Sequence, residues 1–363
     1  MKKSLALLLA LALVVSMCSF AIATEAKTYS FEIVSKGFQS TYWQAVLKGS
    51  TSQAKLINDE AGYEKVKFNF VGPDSESDIA SQVNMFESAV NAKPDAIGLA
   101  ALDVNALNAN IAAAQEAGIP IIGFDSGVPN APEGAVLANA STNNYVAGQV
   151  VAENLYAKIK DRIAAASAPV RIGEINQDAT SESITNRGLG FIDKFIELAS
   201  ADGYKVAVIG NEKYVTDSKG EKVAESEANI IIEARVPAQT TAELCATEAG
   251  VVLSQADTLA IFGSNQTAAE GIITANEILG VCGSDDTQII AVGFDSGTVI
   301  KAAVTAGTMY GAVTQSPVGI GERLIDMLLA AASGEAVEDT DTGCAFYTAA
   351  NIASEEIAQN LYD

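Results

Sequence analysis

The pentapeptide Gly-Phe-Asp-Ser-Gly occurs twice, at 123–127 and at 293–297, a displacement of 170 residues in a chain of 363. Each copy places a carboxylate, Asp125 or Asp295, at the carboxyl end of an apolar run and follows it with a serine hydroxyl. An ionised carboxylate only accepts hydrogen bonds, has room for several, and makes them stronger than neutral acceptors do. Two such groups facing one space suit a ligand rich in neighbouring hydroxyls. The alternative is that Asp and Ser only turn the chain or cap the next helix. Recurrence at matching places favours the ligand reading. The apolar faces of such a ligand call for aromatic rings, and Tyr42 with Trp43, the sole tryptophan, follows the first strand-like run where a loop enters a helix. Neighbouring residues do not share a helix face, so one of the two can pack in the core while the other faces out.

Other chemistry is narrowed by composition. There is no histidine, which removes the commonest general base, the commonest metal ligand and every Ser-His or Cys-His pair. Cys18, Cys245, Cys282 and Cys344 have no zinc-site spacing, and no glycine loop of either phosphate-cradling type is present. A binding role without catalysis, cofactor or metal is expected. A glycosidase-like pair of carboxylates is the rival among enzymes.

The elements that must hold these residues alternate. Apolar runs at 31–34, 96–100, 119–124, 171–175, 258–262 and 289–294 are separated by Ala-rich helical stretches, the pattern of a parallel sheet covered on both faces. The repeat extends beyond the pentapeptide, since 95–103 and 257–265 each supply a strand ending in a polar residue before a helix and the repeated strand. The fold class expected is α/β: two doubly wound parallel-sheet (Rossmann-like) domains with a hinge and an interdomain ligand cleft, because ligands of open α/β sheets sit at the carboxyl ends of the strands. The expected division is a leader at 1–23, an N-terminal lobe from 28–140 plus 316–345, and a C-terminal lobe from 141–315 plus 346–363. The chain would cross between the lobes near 139–142, 315–318 and 343–346, with the helix at 319–332 returning to the first lobe. The polar stretch 211–229 reads as a solvated loop.

At the amino end, Lys2 and Lys3 precede an unbroken apolar run and small residues at 21 and 23, the pattern of a secretory signal peptide. Export is expected, to the periplasm or the outer face of the cell membrane, with Cys18 as an alternative site of lipid anchoring. Loss of the two lysines takes the formal charge from −23 to −25. So acidic a surface repels nucleic acid and anionic lipid, and scattered acids serve solubility.

From residue 29 to about 350 the chain resembles the periplasmic sugar-binding proteins of ABC transporters, a type I family that includes ribose-binding proteins. The matching pieces are the first strand with its aromatic pair, 118–125, 180–191, the strand ending in Asn265, 292–295, and Gln315 before Ser316 and Pro317. The resemblance implies that Ser35, Tyr42, Trp43 and Asp125 meet the sugar from the first domain. Arg187, Asn265, Phe294 and Asp295 would meet it from the second, with Gln315 near the hinge. Ser126 stands where the ribose-binding pattern has arginine, and Gln239 where it has an aromatic ring, which speaks against D-ribose itself. Read from the residues alone, Arg187 can also be a surface helix residue and Asn265 a helix cap. The resemblance implies a monomer that hands a pentose or hexose to a membrane permease. A nucleoside, inositol or furanone ligand, or presentation to a sensor kinase or chemoreceptor, is the alternative. A sugar-responsive regulator would carry a DNA-binding domain where this chain has its leader.

Overall fold

The computed structural model describes residues 26–285 and 287–363. The expected leader at 1–23 and Cys18 lie outside the described residues. Among the described residues thirteen strands fall into two sheets. The first is made of β1 (Tyr29–Val34), β2 (Val66–Val71), β3 (Ala96–Leu99), β4 (Ile121–Phe124), β5 (Val136–Ser141) and β12 (Thr340–Asp341), in the order β12-β5-β4-β3-β1-β2 and parallel throughout. The second contains β6 (Val170–Ile175), β7 (Val206–Gly210), β8 (Ile230–Arg235), β9 (Thr258–Gly263), β10 (Ile290–Phe294), β11 (Gly311–Gln315) and β13 (Cys344–Thr348). Its order is β13-β11-β10-β9-β6-β8-β7, with β13 alone antiparallel. β3, β4, β6, β9, β10 and β11 are buried along their whole length. Helices cover both faces of such strands, which is why their sequences are mostly apolar without alternation, with Arg171 and Glu174 of β6 and Thr314 and Gln315 of β11 among the buried polar exceptions.

The chain passes from one sheet to the other after β5, β11 and β12. After β5 it enters α4 (Asn144–Ala165), which packs on α5 (Glu182–Ala201). These two helices meet at backbone distance: a Cβ on Gly190 would run into the Tyr145 carbonyl oxygen, and one on Gly148 into that of Arg187. After β11 comes α10 (Pro317–Ala332), packed against α1 (Thr41–Ala61) and under β3 and β4. It begins two residues before the expected 319 because proline is pre-organised for the first helical position. Segment 211–229 is less of a loop than its polarity suggests. It holds α6 (Glu212–Asp217) and a 3-10 turn, Tyr214 is fully buried, and the Lys222 ammonium donates to the carbonyls of Val215 and Ser218 at 2.8 and 2.7 Å. Cys245 and Cys282 are buried and Cys344 half-buried, all three as free thiols. Among the described residues no helix is long and apolar enough to cross a membrane.

Candidate functional site

Asp125 and Asp295 follow β4 and β10, and both adopt the left-handed conformation, with φ of 55° and 73°. Aspartate enters this region more readily than most residues, and a non-glycine held there is costly enough to need fixing by its surroundings. The fixing is alike in the two copies: the Asp125 amide donates to Ala140 O at 3.0 Å and the Asp295 amide to Val313 O at 2.6 Å, each on the next strand of its sheet. Each carboxylate is thereby turned off the sheet edge into the space between the sheets.

That space narrows to a cavity of about 40 Å³ where the two walls meet. The first lobe lines it with Lys36, Ser40, Tyr42, Trp43, Glu76 and Asp125. The second contributes Gln177, Ser183, Ile184, Arg187, Asn265, Gln266, Thr267 and Asp295, with Gln315 from the crossing strand. A wider groove of about 480 Å³ lies outside the hinge between Pro129, Asn143, Glu182 and Asp341, but the buried, convergent polar groups belong to the smaller cavity.

On the first wall, α1 starts at the Ser40 cap and presents Tyr42 and Trp43 together, their rings edge to face at 5.1 Å. The Tyr42 hydroxyl donates to Asp125 Oδ1 at 2.5 Å, and burial, reinforced by the Asp125 charge, holds it well above the usual tyrosine range. Trp43 is 1% exposed and packs on Phe124, yet its Nε1 donates to Glu76 Oε1 at 2.8 Å. The core and cavity alternatives are thus both realised in one side chain. The Lys36 ammonium sits 3.9 Å from both Asp125 Oδ2 and Glu76 Oε2, and reaches Ser183 Oγ on the other lobe at 3.2 Å. Burial disfavours that charge, but Asp125, Glu76 and Asp178 outweigh it and raise the group above its ordinary range.

On the second wall Arg187 is nearly fully buried rather than at the surface. Its guanidinium lies over Phe294 at 3.6 Å, donates to Ser264 O at 2.7 Å and grips Asn144 Oδ1 at 2.7 Å. Gln315 Nε2 donates to Asp295 Oδ1 at 2.7 Å and the Gln266 amide to Oδ2 at 2.9 Å. Burial pushes the Asp295 carboxyl up, against the pull of Arg187 and the Gln315 bond. Asn265 does two jobs: Oδ1 caps α8 (Gln266–Leu279) by accepting from Ala268 N at 3.1 Å, and Nδ2 donates to Gln177 Oε1.

Of the ten residues singled out in the sequence, seven line this cavity: Tyr42, Trp43, Asp125, Arg187, Asn265, Asp295 and Gln315. Three do not. Ser35 is fully buried and ties the loop after β1 to Gly37 O and Val71 O, Ser126 accepts the Ser183 amide across the lobes, and Phe294 is the platform beneath Arg187. Sequence reading missed Lys36, Glu76, Gln177, Ser183 and Gln266. Lys36, Glu76 and Gln177 come within a few residues of the ends of β1, β2 and β6, so the carboxyl-edge rule applied to every strand, and not only to the repeated one, finds them.

The family model for a periplasmic binding protein domain matches residues 31–336. The chain belongs to that family. Solved structures of similar shape agree with this membership over nearly their whole length. One is a Brachyspira murdochii protein described as an ABC transporter, LacI family transcriptional regulator, with 32% identity, 93% of this chain and 99% of that chain covered, and a TM-score of 0.75. Another is an ABC transporter solute-binding protein from Agrobacterium vitis with bound D-fucose, at 28% identity, 92% and 100% coverage and a TM-score of 0.75. A third is a carbohydrate transporter solute-binding protein from Agrobacterium radiobacter in complex with D-arabinose, at 25% identity, 92% and 99% coverage and a TM-score of 0.73. No curated protein sequence matches. For a periplasmic binding protein, two α/β lobes with mostly parallel sheets and a cavity between their strand ends are the expected architecture, and this chain has it.

Proposed function

We propose that this protein is the substrate-binding component of an ABC transporter, capturing one monosaccharide of the pentose or hexose class between its lobes and delivering it to a membrane permease. The observation that carries the reading is the pair of left-handed aspartates on opposite walls of one cavity that also holds Tyr42 and Trp43. A hydroxyl lying between the Lys36 ammonium and the Asp125 carboxylate accepts from one and donates to the other, which is how a neutral polyol satisfies a charged pair without carrying charge. The sugars held by the two Agrobacterium proteins support the class.

The lobes would be 28–140 plus 316–345 and 141–315 plus 346–363, hinged at the crossings after β5, β11 and β12. The mature protein would be exported and act as a monomer that binds without chemical change. A thermal-shift screen over D-fucose, D-arabinose, other pentoses and hexoses, inositols and nucleosides tests the proposal, because a ligand at a hundred times its Kd stabilises by about 2.7 kcal/mol. Stabilisation by a nucleoside and by no monosaccharide overturns it.

A further inference from the structure

Glu76 joins two things that a binding cleft must coordinate. One carboxylate oxygen accepts the Trp43 indole N–H at 2.8 Å, and the other accepts the Gln177 amide from the opposite lobe at 2.9 Å. Gln177 in turn accepts from Asn265, so a chain of hydrogen bonds runs from Trp43 through Glu76 and Gln177 to the cap of α8. The first link lies within one lobe and survives when the lobes part. The second exists only when they meet.

We propose that Glu76 is a positioning residue for sugar capture, fixing the plane of Trp43 and latching the lobes through Gln177, so that ring orientation and closure are set by the same carboxylate. This rests on the reading of the cleft as the binding site. The indole N–H cannot take its bond to Glu76 Oε1 without fixing the ring about both of its side-chain torsions. Packing against Tyr42 and Phe124, with rings edge to face at 5.1 and 6.1 Å, holds the same pose. Thr41 with Gln266 and Lys36 with Ser183 also bridge the lobes, but neither touches the tryptophan. Because these are direct contacts between the lobes, they give the closed form a population in the ligand-free protein.

The test needs no sugar. Trp43 is the only tryptophan, so a 15N spectrum of the ligand-free protein holds a single indole N–H resonance from it. Glu76→Ala is expected to move that resonance and speed its exchange with solvent, while Glu76→Gln, which keeps an acceptor, restores most of it. Gln177→Ala is expected to leave the resonance hydrogen-bonded and to lower the closed-to-open ratio about tenfold, seen as a larger radius of gyration in solution scattering. An indole resonance indifferent to Glu76→Ala overturns the positioning role, and an unchanged radius in Gln177→Ala overturns the latch. Titrating D-fucose and D-arabinose against the wild-type resonance tests the sugar reading separately, and its failure leaves both of these outcomes standing.

Discussion

Glu174 lies in β6, fully buried, accepting from Asn176 Nδ2 at 3.0 Å, while its other oxygen has no hydrogen-bond partner among the described residues. Burial raises its carboxyl from 4.5 to about 8, with the Asn176 bond opposing and the Asp193 charge adding. The folded protein therefore holds one more proton than the unfolded chain between roughly pH 4.5 and 8. Stability changes with pH in proportion to the protons bound by the unfolded state minus those bound by the folded state. That difference is negative here, so this group makes the protein less stable as pH rises through the window, and its effect is flat below and above it. A shift of this size corresponds to on the order of 4–5 kcal/mol across the window, a large part of the 5–15 kcal/mol typical of a domain. Glu174→Gln keeps an acceptor for Asn176 and has no proton to lose. Urea unfolding of both proteins at pH 5 and pH 8.5 is expected to show the variant gaining on wild type by that amount at the higher pH. Asp295, Glu182 and Glu270 are shifted the same way, but they are common to both proteins and cancel in the difference. A gap between the two that does not change with pH refutes the reasoning.

Asp125→Asn and Asp295→Asn, each keeping shape and losing charge, are expected to weaken binding of the cognate sugar by roughly ten- to a hundredfold in calorimetry, since a hydrogen bond to a charged group is worth about 1.5–3 kcal/mol. The single tryptophan lines the cavity, so sugar binding is expected to change Trp43 emission in intensity or wavelength, and a calorimetrically confirmed ligand that changes neither contradicts its place at the sugar face. Gly190→Ala drives a methyl group into the Tyr145 carbonyl and is expected to destabilise by at least 1–3 kcal/mol in denaturant unfolding.

The architecture was legible because its signals are periodic and redundant. Six apolar runs and one exact repeat announce parallel strands and two similar lobes, and the strands at 96, 121, 258 and 290 begin within two residues of where the pattern puts them. The site was legible only where the chain repeats itself or resembles relatives. Glu76 and Gln177 belong to loops, and Ser183 to the first turn of α5, whose composition is that of any solvated segment, and what brings them into the cavity is the closeness of a second lobe more than a hundred residues away along the chain. Arg187 shows the converse. Its polarity suggests a surface, but a buried slot between Phe294, Ser264 and Asn144 supplies a ring face and two acceptors, enough to hold a guanidinium inside.

The repeat marks a position more than it marks a task. Asp125 and Asp295 share sequence, backbone conformation and place on the sheet edge, yet their partners differ in kind. Asp125 meets a phenol and faces an ammonium across 3.9 Å, whereas both oxygens of Asp295 are held by neutral amides, one from Gln315 and one from the backbone of Gln266. The serines diverge further. Ser126 accepts a backbone amide from the opposite lobe, and Ser296 exchanges hydrogen bonds with Tyr362 of its own, whose ring then edges Tyr42 at 5.9 Å. Two identical pentapeptides thus give a cavity with unlike ends, one whose carboxylate faces a lysine and a phenol, the other whose carboxylate is held by amides with the Arg187 guanidinium on the same wall. A ligand held between them would meet a different environment at each end, and this asymmetry, built by residues outside the repeat, would set which way round it lies.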